Sequence, residues 1–480
     1  MSHSPAEVDY LVIGAGASGM AFTDALIGGT DHSVLIVDRR HASGGHWNDT
    51  YPFVRLHQPS AYYGVGSRNL GADRIDETGM YERATGLEVL GYFQAVMEEH
   101  FLPSGQVTFA PMSDCRVDGE RVSVVSRLTS TVREVTVRRS IVDARYAEGA
   151  IPATHRRSFA VDDDARCIPI NDLVHADGTA NGYVVLGGGK TAMDACLWLL
   201  GHGVDPDVIT WVRPRDPWIM PRETVQARDQ VGSYLISYAA SVEASADATS
   251  AADLFARLES CGHLTRLDPG YEPAVFRGAT VSVPEIEMLR RITRVVRGRV
   301  RRIARDRIVL DDREVRVHGR PLHIDCTASA LATPDPRPVF EAGRITIQPV
   351  QASSLSFNAA LIGYIESTRE DTAEKNTLSP PSRYPITADD WIRSRRDTML
   401  AHTRWLQAPD VQRWVQHSRL NIASGIRAHV AEPGVAEALH TVRTRSAPAL
   451  ENLAKLSNPQ EAVKDDGGSP SRSEARLSRS

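Results

Sequence analysis

The stretch VDYLVIGAGASGMAF, residues 8–22, is the first part of the chain that predicts a particular fold. Its apolar run, residues 8–13, has the length and composition of a buried β-strand. The glycine pattern of residues 14–19 follows at once, and residues 20–27 then have helical spacing. A second apolar run at residues 34–37 completes a strand–helix–strand unit. The sequence therefore predicts a βαβ unit whose first turn is built from glycine.

This first glycine loop has the G-x-G-x-x-G spacing of a dinucleotide-binding turn. In such a turn the first glycine permits a sharp bend, the second lets a pyrophosphate approach the backbone, and the third lets the helix pack on the strand. The free N–H groups at the start of the helix attract phosphate. Asp38 ends the second strand 19 residues after Gly19, where a carboxylate binds a ribose hydroxyl. A tight turn without a ligand is the alternative. The predicted cofactor-binding residues here are Gly14, Gly16, Ala17, Ser18, Gly19, Asp38 and Arg39.

A second glycine loop, GGGKTA at residues 187–192, has the related G-x-G-x-x-A spacing and again lies between a predicted strand and a predicted helix. It is not a P-loop, because that motif needs a glycine at the position of Val184. The sequence therefore predicts a second dinucleotide. The predicted ligand-binding residues of this loop are Gly187, Gly189, Lys190 and Thr191.

The strand after the second loop, residues 208–212, ends without a carboxylate. Arg213 follows it directly, and Arg215 lies two residues further on. Arginine binds phosphate well, whereas an acid at this point would repel the 2′-phosphate of NADP. The two arginines therefore predict a site that prefers NADP(H) over NAD(H). A solvated arginine-rich loop is the alternative.

The composition of the 480-residue chain, 42% apolar and 24% charged, is that of an ordinary globular protein. Its five cysteines never form a C-x-x-C pair, which argues against a disulfide scaffold, a cysteine-rich zinc site and a paired-thiol redox centre. No spacing of His, Asp or Glu predicts a metal site.

The formal charge of −5 gives no sign of a nucleic-acid partner. No apolar run is long enough to span a membrane and the N-terminus lacks the basic segment of a signal peptide, so we expect a cytoplasmic protein.

The order of these motifs resembles that of two-domain flavoproteins that use FAD and NAD(P)H, most closely the flavin-containing monooxygenases. The resemblance spans roughly residues 8–365 and includes the segments GGHW, residues 44–47, and IDCTA, residues 324–328. In that family the GGxW segment lies along FAD, and a strand containing an aspartate returns to the flavin. The FAD-binding residues that the resemblance implies outside the glycine loops are Gly45, His46, Trp47 and Asp325.

The segment YPFVRLHQPS, residues 51–60, follows the GGHW segment. The family places a polar residue near the flavin in a comparable stretch, so the resemblance implies His57 or Gln58 as the catalytic residues. The amide of Gln58 would hydrogen-bond the flavin or the nicotinamide. His57 would instead act as an acid or base, because the ordinary pKa of histidine lies near working pH. A loop that is hydrogen-bonded to its own backbone is the alternative.

The predicted fold is α/β, with two Rossmann-like dinucleotide-binding domains, the FAD domain being split by an inserted NADPH domain, and with a C-terminal helical segment. The predicted bounds are 1–175 together with 318–370 for the FAD domain, 176–317 for the NADPH domain, 216–290 for a helical excursion within it, 371–456 for the helical segment and 457–480 for a disordered tail.

The resemblance implies an enzyme in which NADPH reduces FAD, dioxygen then forms a hydroperoxyflavin, and one oxygen atom passes to a small organic substrate. Two other functions stay open: an FAD-dependent reductase or dehydrogenase without oxygen insertion, and a dinucleotide-binding protein without turnover. The F-x-G-x-x-x-H pattern that such monooxygenases carry between the two glycine loops is absent, which favours the reductase. The identity of the substrate and the presence of a homo-oligomer stay open as well.

Overall fold

The computed structural model describes residues 6–119, 121–146, 148–329, 332–351 and 355–457. The tail predicted to be disordered, residues 457–480, lies outside these ranges except for Ser457. Within the described ranges, no helix is both long and apolar enough to cross a membrane.

The strands follow one another along the chain as β1 (Ala6–Ile13), β2 (Val34–Val37), β3 (Val107–Ala110), β4 (Ser113–Asp118), β5 (Arg121–Ser126), β6 (Val132–Asp143), β7 (Ala160–Val161), β8 (Cys167–Pro169), β9 (Tyr183–Leu186), β10 (Ile209–Val212), β11 (Pro217–Pro221), β12 (Val275–Val281), β13 (Val295–Val296), β14 (Val300–Ile303), β15 (Arg307–Leu310), β16 (Glu314–Arg316), β17 (Leu322–Asp325), β18 (Phe340–Glu341) and β19 (Arg344–Thr346). The helices are α1 (Ala17–Ile27), α2 (Gly86–Val96), α3 (Lys190–Gly201), α4 (Val231–Asp247), α5 (Ala251–Ser260), α6 (Val283–Arg290), α7 (Leu355–Thr368), α8 (Thr372–Leu378), α9 (Ala388–Leu406), α10 (Pro409–His417) and α11 (Pro433–Ser457).

The first sheet contains the N-terminal βαβ unit. Its strand order is β18–β19–β6–β1–β2–β3, and the β4–β5 hairpin joins it through β6. Strand β1 is parallel to β2 and to β6, and β2 is parallel to β3. Helix α1 connects β1 to β2 and packs against α7, with Phe22, Leu26 and Phe357 fully buried between the layers. This arrangement places the first glycine loop at the carboxyl end of the central strand.

The second sheet contains the second βαβ unit. Its strand order is β13–β10–β9–β17–β8, and its neighbouring strands are all parallel. Helix α3 connects β9 to β10 and starts at the second glycine loop. A smaller sheet, β16–β15–β14–β7, packs against it through Val184, Leu186 and Ile303. The predicted α/β fold with two Rossmann-like units is therefore confirmed.

One strand lies in a different sheet from the one predicted. Strand β17 belongs to the second sheet, between β9 and β8, although residues 318–370 were expected to return to the first. Its four residues are all buried, as expected for an interior strand that has a neighbour on each side. The strand that does return to the first sheet is β19, which pairs with β6 through Arg344–Thr346. Strands β7 and β8 also lie with the second domain, although the prediction ended the first domain at residue 175.

The excursion at residues 216–290 is only partly helical. Besides α4, α5 and α6 it contains β11 and β12, which form a parallel pair. Strand β11 begins and ends with proline, at Pro217 and Pro221, and proline cannot take part in a helix interior. The prediction of a helical excursion is therefore wrong for these two strands.

The C-terminal helices cover the excursion. Helix α11 packs along α4, and α9 packs against both α11 and α5. A capping box between Thr387 and Asp390 begins α9, because each side chain accepts a hydrogen bond from the other residue's backbone N–H. Trp391 and Met399 of α9 are buried together with Phe255 of α5 in a second hydrophobic core. The helical segment thereby closes one side of the second domain.

Candidate functional site

Both glycine loops open into a single cavity with a volume of about 1430 Å³. A pocket for one drug-sized ligand holds roughly 300–1,000 Å³, so this cavity has room for more than one. Its walls come from the first loop, from the second loop and from the helices α4, α9 and α11. The fold thus brings together two loops that lie about 170 residues apart in the sequence.

The first glycine loop is shaped for a ligand that approaches its backbone. Gly14 has a φ of +112°, which favours glycine, and a Cβ at Gly19 would lie 1.9 Å from the carbonyl oxygen of Gly14. Helix α1 begins directly after Gly16, and no side chain caps its first turn. The N–H groups at this helix start therefore lack intrahelical partners and lie beside Ala17 and Ser18, which line the cavity.

The GGHW segment packs backbone to backbone against the first loop. The N–H of Gly44 donates to the carbonyl of Ala15 at 2.8 Å, and a Cβ at Gly45 would lie 2.7 Å from the Cα of Gly16. The indole N–H of Trp47 donates to the hydroxyl of Tyr63 at 2.6 Å. Glycine at position 45 thus lets the two segments form one continuous wall of the cavity.

His46 and Trp47 line the cavity, as the resemblance implied for residues beside FAD. His46 is exposed within the cavity, where partial desolvation, and then the charge of Arg40, lower its pKa to about 4. The imidazole is therefore neutral near pH 7.

Asp38 lies at the end of β2 and lines the cavity. Its carboxylate accepts hydrogen bonds from the backbone N–H groups of Ala15, at 2.7 Å, and Arg40, at 2.8 Å. Only 5% of the residue is exposed, so these contacts hold the carboxylate in one orientation. Arg39 lines the cavity as well and pairs with Glu148 at 2.6 Å.

Two glycines of the second loop lie close to neighbouring backbone, and the third glycine faces open space. A Cβ at Gly187, where φ is +128°, would lie 2.7 Å from the carbonyl oxygen of Cys326. A Cβ at Gly188 would lie 2.4 Å from the carbonyl oxygen of Arg215. A Cβ at Gly189 would meet no described atom within 4 Å. Since Gly189 lines the cavity and precedes the uncapped start of α3, the open side faces the space where a ligand would lie.

Lys190 and Thr191 follow the second loop and line the cavity. The ammonium of Lys190 forms an ion pair with Asp194, one turn further along α3. The hydroxyl of Tyr51 donates to the other oxygen of Asp194 at 2.6 Å. Asp194 therefore connects the loop after the GGHW segment to the helix of the second βαβ unit, a link that sequence reasoning missed because its partners are 143 residues apart.

His57 and Gln58 both line the cavity, close to this link. The backbone carbonyl of His57 accepts a hydrogen bond from Nε of Arg222 at 3.2 Å, and Arg222 pairs with Glu285. Burial, and then the charge of Lys190, lower the pKa of His57 to about 3. The expectation that His57 titrates near working pH is therefore wrong, because desolvation keeps its imidazole neutral.

The two arginines predicted at the 2′-phosphate separate in the structure. Arg213 is buried, its guanidinium lies 4.7 Å from the ring centre of Trp211, and its Nε lies 3.5 Å from Asp216. It does not line the cavity, so the prediction of a phosphate contact is wrong for Arg213. Arg215 is exposed and does line it.

Two further arginines, Arg277 and Arg299, also line the cavity. Burial, and then the charge of Arg215, lower the pKa of Arg277. Within the described ranges, none of the three forms an ion pair with an acidic residue. In the sequence β11, α4 and α5 lie between Arg215 and Arg277, which explains why only Arg215 was predicted.

Asp325 does not reach the cavity. Its carboxylate accepts hydrogen bonds from the N–H and hydroxyl of Thr327, at 3.0 and 2.7 Å, and from Nε of Arg157 at 3.2 Å. The implied contact between Asp325 and the flavin is therefore wrong, because β17 lies in the second sheet. Cys326 and Thr327, directly after it, do line the cavity.

The five cysteines, Cys115, Cys167, Cys196, Cys261 and Cys326, are all free thiols in the structure. Among the residues that the structure describes, no group of three or more His, Cys, Asp or Glu side chains is arranged to hold a metal ion.

Two curated mycobacterial proteins match nearly the whole chain. The uncharacterized protein Rv2000 of Mycobacterium tuberculosis is 43% identical over 458 residues, which cover 94% of the chain and 84% of that protein. The uncharacterized protein Mb2023 of Mycobacterium bovis matches to the same extent. The chain belongs to the family of these proteins. No protein-family model matches it.

The chain is also similar in fold to solved structures. A polycyclic ketone monooxygenase of the thermophilic fungus Thermothelomyces thermophila has a TM-score of 0.49 at 14% identity, over 94% of this chain and 90% of its own. An oxidized steroid monooxygenase bound to NADP has a TM-score of 0.50 at 13% identity, over 75% of this chain and 85% of its own. At that identity the likeness to the steroid enzyme concerns the fold alone. The resemblance to flavin-containing monooxygenases is thus confirmed as a shared fold, in a divergent form.

Proposed function

We propose that the protein is a monooxygenase that binds FAD at the first glycine loop and NADPH at the second, and that it transfers one oxygen atom from dioxygen to a small organic substrate. The observation that carries this proposal is that both loops line one cavity, since hydride transfer needs the two cofactors side by side. FAD and NADPH, when bound, supply the redox chemistry, and the protein supplies position and electrostatics.

The first loop fits the adenosine and pyrophosphate parts of FAD. A pyrophosphate would approach Gly16 and the uncapped N–H groups at the start of α1. Asp38 has lone pairs left for a ribose hydroxyl beyond the two backbone bonds that it already accepts. Gly45, His46 and Trp47 would hold the other side of the molecule.

The second loop fits NADPH for the same physical reasons. The open side of Gly189 leaves space for a pyrophosphate, and α3 contributes an uncapped N-terminus. Arg215, Arg277 and Arg299 lack acidic partners in the described chain, and they would hold the 2′-phosphate. Arg213 would not contact the phosphate. Its contact with Asp216 would instead hold the end of β10 in place.

His57 and Gln58 would act between the two cofactors. The neutral imidazole of His57 can donate or accept one hydrogen bond without adding charge, and the amide of Gln58 can do both at once. Arg222, through the carbonyl of His57, holds this segment in place. Tyr62, which is buried, and Tyr63, which is partly buried, line the cavity, so their rings would keep water from the reacting atoms.

The purified protein tests this proposal. We expect a yellow protein with the absorbance of oxidised flavin, which NADPH bleaches in the absence of oxygen. When the reduced protein is mixed rapidly with dioxygen, we expect a transient whose absorbance differs from that of both oxidised and reduced flavin. Direct return to the oxidised spectrum would instead assign the protein to the reductases, and a colourless protein that takes up no FAD would contradict both functions.

The substitution Gly189→Ala is expected to weaken NADPH binding without disturbing the fold. The added Cβ meets no described atom, so the thermal unfolding midpoint should not change, yet it would occupy the space of the pyrophosphate. We expect the KM for NADPH to rise by about tenfold or more, equivalent to about 1.4 kcal/mol. Steady-state kinetics with varied NADPH concentration would measure the KM. The variant should contain as much FAD as the wild type. An unchanged KM would show that no dinucleotide lies against Gly189.

The substitution Arg215→Ala is expected to reduce the preference for NADPH over NADH. A charge-assisted hydrogen bond to the 2′-phosphate contributes about 1.5–3 kcal/mol, so the ratio of kcat/KM values should fall by about 10- to 100-fold. The matched variant Arg213→Ala removes an arginine that does not line the cavity. It should lower stability while the ratio stays close to that of the wild type, and the reverse pattern would contradict our assignment.

A further inference from the structure

Three helices line part of the cavity. Tyr234 and Tyr238 of α4 form one side of it, and Trp391, Arg395 and Met399 of α9 form another. The three α9 residues are spaced four apart, which puts them on one face of the helix. Helix α11 contributes a similar row of Val442, Ser446 and Leu450. We call this space, lined by these eight residues, the helical chamber.

Arg395 is the charged group of the helical chamber. Its guanidinium carbon lies 4.1 Å from the ring centre of Tyr238 and 5.9 Å from that of Trp391. Its Nη2 donates to the hydroxyl of Ser241 and, at 3.5 Å, to the carbonyl of Tyr238. Its Nε is buried and has no hydrogen-bond partner in the described chain. No described acidic residue pairs with it, so its positive charge has no counter-ion among the described residues.

The groups around Arg395 do not neutralise its charge. The described acidic residues that line the cavity are Asp38, Asp114 and Glu148, and Glu148 lies at the first-loop end through its pair with Arg39. Two histidines that also line the cavity are uncharged near pH 7, because burial, and then the charge of Arg395, lower the pKa of His263 to about 3 and that of His402 to about 4. Among its eight residues the chamber presents one cation, Arg395, between aromatic and aliphatic side chains, and the exposed Arg443 of α11 lines the cavity beside Val442.

We propose that the helical chamber binds the substrate of the enzyme and that this substrate is an organic carboxylate, whose acid group is held by Arg395 and whose apolar body lies among the aromatic side chains. The planar guanidinium offers two parallel donors that match a carboxylate, and the cation is already oriented by Tyr238 and Trp391. The proposal rests on the function proposed above, because it assigns the oxygenated substrate to that same cavity. It makes Arg395 a determinant of substrate specificity.

Isothermal titration calorimetry on the purified protein tests the proposal with two matched probes, 4-phenylbutyrate and its neutral amide 4-phenylbutanamide. We expect the wild type to bind the acid about tenfold or more tightly than the amide. Arg395→Gln should remove this preference while the affinity for the amide is retained, which shows that the chamber is still folded. Arg395→Lys should keep part of the preference, because it keeps the charge without the planar pair of donors.

Arg393→Gln is the matched control, since Arg393 lies on the same helix but is exposed and does not line the cavity. It should keep the full preference for the acid. Equal affinity for acid and amide in the wild type, or a preference that survives Arg395→Gln, would overturn the proposal. The proposal would also be overturned if Arg395→Gln changed only the KM for NADPH, because that result would assign the arginine to a cofactor phosphate. A protein without flavin would contradict the proposed function. Carboxylate binding could still be measured in that protein, because calorimetry needs no turnover.

Discussion

Replacement of Gly45 by alanine is expected to yield a protein that is isolated without flavin. At Gly45 the φ of +57° is unfavourable for a residue with a side chain, and the new Cβ would lie 2.7 Å from the Cα of Gly16. Both partners in this clash are backbone, so no side chain can rotate away from it. The GGHW segment and the first glycine loop must therefore separate, and the wall that FAD would contact is broken. The flavin absorbance of the purified variant, compared with its protein absorbance, measures the loss.

Two matched variants separate binding from folding in this experiment. Gly91→Ala adds the same methyl group on the exposed face of α2, where it meets no described atom, and should keep the flavin. Gly16→Ala places a Cβ at 3.4 Å from Gly45, an ordinary contact, so it should fold normally and still lose FAD. Circular dichroism would verify the fold of each variant. If Gly45→Ala keeps its full complement of flavin, the GGHW segment is not part of the FAD site.

The second large effect is expected on stability, from a buried ion pair in the first domain. The ammonium of Lys375 lies 2.7 Å from the carboxylate of Glu366, and the hydroxyl of Tyr10 donates to the other carboxylate oxygen at 2.6 Å. The two charged side chains are only 10% and 6% exposed. Glu366→Gln would leave the lysine buried and unpaired, so we expect the free energy of unfolding to fall by about 3–5 kcal/mol.

Urea unfolding followed by circular dichroism would measure this loss. Glu314→Gln removes one partner of a solvent-exposed pair with Arg307 and should leave the unfolding midpoint nearly unchanged. The double variant Glu366→Gln with Lys375→Met removes both charges and should recover part of the stability. If the single and double variants are equally unstable, the lost energy comes from packing rather than from the unpaired charge.

The two βαβ units could be predicted because their signals are local. Residues 8–37 carry the strand, the glycine turn, the helix and the second strand in one continuous stretch, and residues 183–212 repeat the arrangement. Glycine is needed at these turns for reasons of backbone geometry that hold in any surrounding. Gly14, Gly16, Ala17 and Ser18 of the first loop and Gly187 to Thr191 of the second line the cavity, whereas Gly19 packs against the carbonyl of Gly14 and does not.

The placement of single polar side chains depended on contacts that the sequence does not display. Arg213 and Arg215 are two residues apart, yet the packing of Trp211 and Asp216 at the end of β10 buries the first, and the second lines the cavity. His57 has an ordinary sequence context, and only its enclosure near Lys190 lowers its pKa out of the working range. Asp325 ends an apolar run that could form a strand in either sheet. Because this strand pairs with β8 and β9, it lies in the second sheet.

The sequence by itself determined that the chain has two dinucleotide loops, each between a strand and a helix, because hydrophobic period and glycine geometry act over fewer than about 30 residues. Tertiary structure alone decided that the two loops share one cavity and that α4, α9 and α11 line part of it around Arg395. The chamber joins helices that begin at Val231, Ala388 and Pro433. Their contacts depend on which faces meet after folding, and amphipathic spacing within each helix does not specify its partner.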